Sequence, residues 1–171
     1  QAIREKILRV DAVLYTHPRA DHVNGIDDLR SYNYLQSQPL PIFGNRWTIQ
    51  DLQRRFPHIF TQKPSYSEGG GTARLHPFLI KSDKTLKIQG VPIIPVPVQH
   101  GQQECLGYRI DSVAYVTDCS YIPKKSLDRL KVLSVLILDC LRIEKHGTHF
   151  HLDQALETVQ ELSPNKTVLT H

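Results

Sequence analysis

The chain has 171 residues and a mass of 19.6 kDa, the size of one compact domain. Hydrophobic residues at 40% and charged residues at 22% exclude a disordered chain, and the longest apolar run, Val132 to Leu138, is too short to cross a bilayer. The net charge of +4 comes from scattered basic residues and short pairs such as Arg54-Arg55 and Lys124-Lys125, with no arginine-rich tract of the kind that wraps nucleic acid.

In chain order, the pattern predicts strands alternating with amphipathic helices. Ala12 to Thr16 (AVLYT) is apolar and of strand type, and Asp21 to Leu35 carries Val23, Ile26, Leu29 and Tyr34-Leu35 at helical spacing. Pro41 to Gly44 reads as a strand, after which Thr48 is expected to cap a helix running from Ile49 towards Phe56. Pro64 to Thr72, with three consecutive glycines, reads as a flexible loop. Arg74 to Ile80, Thr85 to Gln89 and Val91 to Val98 are expected strands, the last confined by Pro92, Pro95 and Pro97 to a sheet edge or an irregular approach. Leu106 to Ile110 and Val113 to Thr117 flank a turn at Asp111-Ser112. Ser126 to Val132 is a short helix, Val135 to Leu138 a buried strand, His151 to Leu162 a helix, and Thr167 to Thr170 a last strand. With no repeat and no dividing linker, the expectation is a single mixed α/β domain over residues 1–171.

Three cysteines, Cys105, Cys119 and Cys140, form no CxxC pair, and no basic-apolar-small leader opens the chain, so free thiols and a cytoplasmic location are expected. A mildly positive surface suits a small anionic substrate as well as an ordinary solvated face. The 9 His outnumber the 7 Tyr and the 5 Phe, and several sit where strands end. The ends read YTH at Tyr15 to His17, VQH at Val98 to His100, VTD at Val116 to Asp118 and LTH at Leu169 to His171. A lone histidine after a strand is more often a hydrogen-bonded surface group than a ligand, but four such ends in one chain reduce the role of chance. Within Thr16-His17-Pro18-Arg19-Ala20-Asp21-His22-Val23-Asn24-Gly25, Asp21 and His22 can turn an oxygen and a nitrogen towards a divalent ion. The simpler alternative is that Asp21 caps a helix starting at His22.

THPRADHVNG resembles the THxHxDHxxG signature of the metallo-β-lactamase-fold hydrolases, and the order His17, Asp21, His22, His100, Asp118, His171 matches that family's ligand order. DAVLYTHPRADHVNGIDDLR, YVTDCS and HGTHFHLDQAL look most like the branch containing phosphoribosyl 1,2-cyclic phosphate phosphodiesterase. The resemblance implies a four-layer αββα sandwich, an α/β fold of the α+β kind, holding two divalent metal ions, zinc or manganese. His17, His100 and Asp118 would belong to the first metal position, and Asp21, His22, Asp118 and His171 to the second, with Asp118 bridging. His149 would be the general acid, with Asp21 counted beside it among the catalytic groups. The ions would clamp a phosphodiester, cyclic or open, and supply a hydroxide near neutral pH. His146 and His151 are surface groups or hydrogen-bonding supports in this reading.

Two departures from the family's pattern follow. The family places strands before Gln1 and structure after His171, and the chain has no Met, so a fragment truncated at both ends is expected. The middle imidazole of THxHxDH is Arg19 here, and a guanidinium has no lone pair to coordinate, so the first metal position should be weakened. The expected partner is a small anionic phosphodiester, with no membrane or nucleic-acid surface and with a homodimer as a further expectation. The alternatives are another hydrolase of the same fold (an RNA-processing nuclease, a thioester or lactone hydrolase) or a non-catalytic binding module, which Arg19 favours.

Overall fold

The computed structural model describes Ala2, residues 4–60 and residues 71–171, which divide into two compact units, residues 1–80 and 81–171.

The first unit is built on three parallel strands, β1 (Val13–Leu14), β2 (Leu40–Gly44) and β3 (Leu75–Leu79), in that spatial order. β2 alternates buried and half-buried residues, and Leu40 and Ile42 join Tyr15, Val23, Ile26, Ile49 and Leu52 in the unit's core. The single helix expected over Asp21 to Leu35 is three pieces: α1 (Ala20–Val23), a 3-10 segment (Asn24–Leu29) and α2 (Arg30–Gln36). Val23, Ile26 and Leu29 recur every third residue, the repeat of the tighter 3-10 turn, while Asn24-Gly25 is poor in α propensity. Asn45, not Thr48, caps α3 (Arg46–Arg55): its Oδ1 accepts the Thr48 N–H at 2.9 Å and the Thr48 hydroxyl at 2.8 Å. Thr48 is buried inside the helix, where it faces Gly44; a Cβ on Gly44 would meet Thr48 Cβ at 3.3 Å. A one-turn helix, α4 (Pro57–Phe60), follows, and the glycine-rich stretch expected as a loop lies, up to residue 70, outside the described residues.

The second unit is one six-stranded sheet in sequence order: β4 (Leu86–Ile88), β5 (Val91–His100), β6 (Gln103–Ile110), β7 (Val113–Val116), β8 (Val135–Asp139) and β9 (Lys166–Thr170). β4 to β7 run antiparallel, whereas β7, β8 and β9 are parallel and are joined through α5 (Lys124–Arg129) and α6 (Leu152–Leu162). His151 stands before α6 as its cap residue, with Nδ1 2.5 Å from Gln154 Oε1. Val96, Val98, Ala114, Val116, Leu136 and Leu138 form the core against Leu130, Phe150, Ala155 and Leu162. Gly107 permits the close approach of β6 and β7, because a Cβ there would meet Tyr115 O at 2.8 Å.

β5 pairs with β4 over Val91–Ile93 and with β6 over Ile93–His100, so both neighbours are present only at Ile93 and each of the three prolines lies where one side of the strand is open, as the proline-based expectation requires locally. Pro95 and Pro97 are tolerated because β4 ends early, and Pro92, which pairs with β4, lies before β6 begins to pair. Along the uncovered side of β5, the Pro97 carbonyl accepts the Ser126 hydroxyl and the Pro95 carbonyl accepts Arg129 Nη1, both at 2.5 Å. Side chains of α5 thus supply what a neighbouring strand would, at positions where Pro has no N–H to leave unpaired.

Strand direction fixes what matters next. β5 is antiparallel to β6 and β6 to β7, so β5, β7, β8 and β9 all point the same way. Their carboxyl ends deliver His100, Asp118, Asp139 and His171 to one end of the sheet.

Candidate metal centre

In the second unit the chemistry is organised by Asp139, a fully buried carboxylate that closes β8. Its Oδ2 accepts the Cys119 N–H at 3.0 Å, the Phe150 N–H at 3.2 Å and His149 Nδ1–H at 3.2 Å. Its Oδ1 accepts His171 Nδ1–H at 3.1 Å. His100 is oriented in the same manner by a backbone group, donating Nδ1–H to the Thr148 carbonyl at 2.7 Å. Gly101 turns the chain directly after it at φ +61°, where a Cβ would meet Thr148 Cγ2 at 2.9 Å.

A carboxylate or carbonyl can only accept, so three imidazoles carry their proton on Nδ1 and present a lone pair at Nε2. Those of His100 and His149 each lie 3.9 Å from Asp118 Oδ2. Asp118 is buried and takes a left-handed backbone (φ +50°), a conformation that Asp and Asn tolerate better than most residues, and Thr117 Oγ1 donates to its Oδ1 at 2.8 Å. Ring centroids of His149 stand 4.4 Å from His171, 4.6 Å from His100 and 5.1 Å from His146. Burial pushes the His149 pKa below its ordinary value, with Asp139 and Asp118 opposing that shift. Burial, reinforced by Asp139 and Asp118, holds the Cys119 thiol protonated well above its ordinary range.

The first unit carries the other group of residues singled out in the sequence. His17 is fully buried, with Nδ1 3.1 Å from Thr16 Oγ1, and its ring centroid is 4.2 Å from that of His22. His22 Nε2 lies 3.2 Å from Asp21 Oδ2, and the Asp21 side chain is 66% exposed. Arg19, not Asp21, precedes α1, so the capping alternative for Asp21 does not hold. The Arg19 carbonyl accepts the N–H groups of His22 at 3.0 Å and Val23 at 3.1 Å, and the residue is exposed.

Within each unit, then, the expected residues come together: His17, Asp21 and His22 in one, His100, Asp118, His149 and His171 in the other. Asp139 was not anticipated. Its signal lay in VLILD, an apolar strand closing on an acid as VTD does, hidden because the apolar run was closed one residue too early at Leu138.

Asp118, Asp139, His149 and His171 offer ligand atoms that all lie within 4.8 Å of one another. Carboxylate oxygens beside oriented imidazole nitrogens, with no thiolate, are donors suited to a divalent ion such as zinc or manganese, so Asp118 and His171 fit a metal, with Asp139 holding the His149 and His171 rings beside it. A hydrogen bond to the far nitrogen of each ring is also how ligating histidines are commonly held.

Such a grouping, at the carboxyl ends of co-directional strands, is a candidate metal centre. The chain belongs to the β-lactamase superfamily domain family, whose pattern matches residues 1–171. It is similar to a diphosphatase of the PhnP family whose crystal structure is known, with 35% identity and a TM-score of 0.88 over 99% of this chain and 63% of that one. It shares the fold of YhfI from Bacillus subtilis, at 22% identity and a TM-score of 0.75, covering 100% of this chain and 70% of that one. An octanoyltransferase of Porphyromonas gingivalis is 30% identical over 100% of this chain but over 34% of its own length. The chain thus spans about a third of that curated relative and less than two thirds of the diphosphatase. Among the described residues, no helix is long and apolar enough to cross a membrane.

Proposed function

We propose that the chain is a metal-dependent phosphodiesterase acting on a small anionic, and in one form cyclic, phosphodiester. The observation that carries this reading is the pair of buried carboxylates, Asp118 and Asp139, among three imidazoles whose Nδ1 protons are committed. The likeness to a diphosphatase over 99% of the chain favours a phosphoryl substrate over an acyl one. The ligand set is the one the resemblance implies: His17, Asp21, His22, His100, Asp118 and His171.

Divalent ions, when bound, supply Lewis-acid stabilisation of phosphoryl charge and a water acidic enough to attack near neutral pH. His149, once its ring has taken up a second proton at Nε2, delivers that proton to the leaving alkoxide. Asp139, hydrogen-bonded to the opposite ring nitrogen, keeps that ring oriented and stabilises its protonated form. Burial of Asp118, His100 and His149 excludes bulk water and strengthens each charge interaction.

The test is hydrolysis of bis(p-nitrophenyl) phosphate and a five-membered cyclic phosphate by protein loaded with zinc or manganese, with and without chelator. Turnover abolished by chelator is expected. Metal-loaded protein inert on every phosphodiester, yet active on an acyl thioester, would replace the reading with the acyl chemistry named for the Porphyromonas relative.

A further inference from the structure

Arg55 ends α3, and its guanidinium reaches the segment that carries His17, Arg19, Asp21 and His22. Nη1 donates to the Pro18 carbonyl at 2.5 Å, and Nη2 donates to Asn24 Oδ1 at 3.2 Å. Pro18 directly follows His17, and Asn24 comes two residues after His22, so one planar fork grips the segment at both feet. The grip is itself anchored: Arg55 Nη1 lies 3.4 Å from Asp51 Oδ2, and Cζ sits 5.4 Å from the centre of the Phe56 ring. Its neighbour Arg54, 79% exposed, pairs with Asp51 alone among the described contacts.

We propose that Arg55 is a positioning residue that holds the His17 and His22 rings in place before any ion binds. This rests on the ligand set given under the proposed function. The physical case begins with Arg19. Where the resemblance implies a ligating imidazole, this chain has a side chain that cannot coordinate, so a bound ion restrains the segment at fewer points. Arg55 supplies restraint from the protein side. Its five donors in a rigid plane can serve two acceptors at once, whereas a lysine ammonium on a flexible stem has no such fixed geometry. Between the feet, the N–H groups of His22 and Val23 close on the Arg19 carbonyl, so the arch is short and its ring positions follow its ends.

The experiment uses the full chain with Arg55→Gln, Arg55→Lys and, as a control, Arg54→Gln. Zinc affinity is measured by competition with a chromophoric chelator, and amide hydrogen exchange at His22 and Val23 is followed in metal-free protein. Both Arg55 variants should bind zinc about 10- to 100-fold more weakly, the range for losing a group that orients a ligand, with Arg55→Lys the milder. Exchange at His22 and Val23 should quicken, the melting temperature of metal-free protein should stay near that of the parent, and Arg54→Gln should match the parent throughout. Parent-like zinc affinity and amide protection in the Arg55 variants would overturn the proposal. So would affinity that falls only in step with global melting. If Arg55→Gln fails to fold, Arg55→Lys decides by the same readouts. Loss of amide protection in a protein that binds no zinc even as the parent would uphold the grip of Arg55 on the segment and remove the ligand set instead.

Discussion

Replacing Asp139 with Asn removes one charge and changes one atom, yet the hydrogen bonds around it leave the amide a single acceptable orientation. Three donors converge on Oδ2, from Cys119 N, Phe150 N and His149 Nδ1, so the amide oxygen must stay there. The amide NH2 then faces His171 Nδ1, which at present donates to Oδ1 at 3.1 Å. Two donors cannot share that contact, so His171 must move its proton to Nε2 and lose the lone pair it would offer a metal. Hydrogen bonds to a charged group contribute about 1.5–3 kcal/mol each and neutral ones about 0.5–1.5, while removing the buried charge offsets part of the loss, so Asp139→Asn should cost about 1–3 kcal/mol. Asp139→Ala should cost about 2–6 kcal/mol, because two buried backbone N–H groups lose their acceptor at about 1–3 kcal/mol each. Metal affinity should fall about 10- to 100-fold in the Asn variant. Denaturant unfolding measures the first pair of values, chelator competition the affinity, and long-range nitrogen NMR of the imidazoles the tautomer. An Asn variant with parental affinity and with His171 still protonated at Nδ1 would refute the reasoning.

Asp118→Asn should strip bound metal, whereas His149→Ala should leave metal content intact and slow turnover by about 10²- to 10⁴-fold, as elemental analysis and phosphodiesterase rates will show. Arg19→His, which adds an imidazole between His17 and Asp21, should raise metal content from one ion per chain towards two and increase the rate; equal content and rate in both proteins would contradict the weakened first position. Gly107→Ala should lower stability by about 1–3 kcal/mol in denaturant unfolding, since the added Cβ meets Tyr115 O at 2.8 Å. His149 has a folded pKa below its ordinary 6.5, so between those two values the unfolded chain binds the extra proton. Its contribution to the stability of metal-free protein is therefore complete above about pH 6.5 and declines as pH falls towards the lower folded value. Circular-dichroism melts of metal-free protein and of His149→Gln across that window will show the parent losing the larger share.

Strand-end residues were legible because a rigid strand closing on His or Asp is a local pattern, and His100, Asp118 and His171 all carry it. His17 and His22 were legible from one ten-residue string. Asp139 was not, because its importance lies in four hydrogen bonds to residues 10 to 32 positions away, for which no spacing rule exists. Arg55 was missed for the same reason: it sits in a surface-like Arg-Arg pair and reaches Pro18 across 37 positions. The fold was read correctly in its element order, with the errors confined to places where local rules compete. A three-residue apolar repeat turned part of an expected α-helix into a 3-10 segment, and a strand with three prolines has partners on both sides of its length while each proline keeps one open side, two of whose carbonyls are met by side chains of α5.

The left-handed backbone of Asp118 has a consequence for how this position can change over time. The corner at φ +50° admits Asp, Asn and Gly readily, and the charge beside His100 and His149 requires a carboxylate, which only Asp and Glu supply. Asp is the single residue on both lists. Asn keeps the corner and loses the charge, Glu keeps the charge and strains the corner, and Ala forfeits both. Position 118 therefore has no neutral neighbour in sequence space, and a lineage that left Asp there could regain the carboxylate only by mutating back or by rebuilding the turn around a different residue.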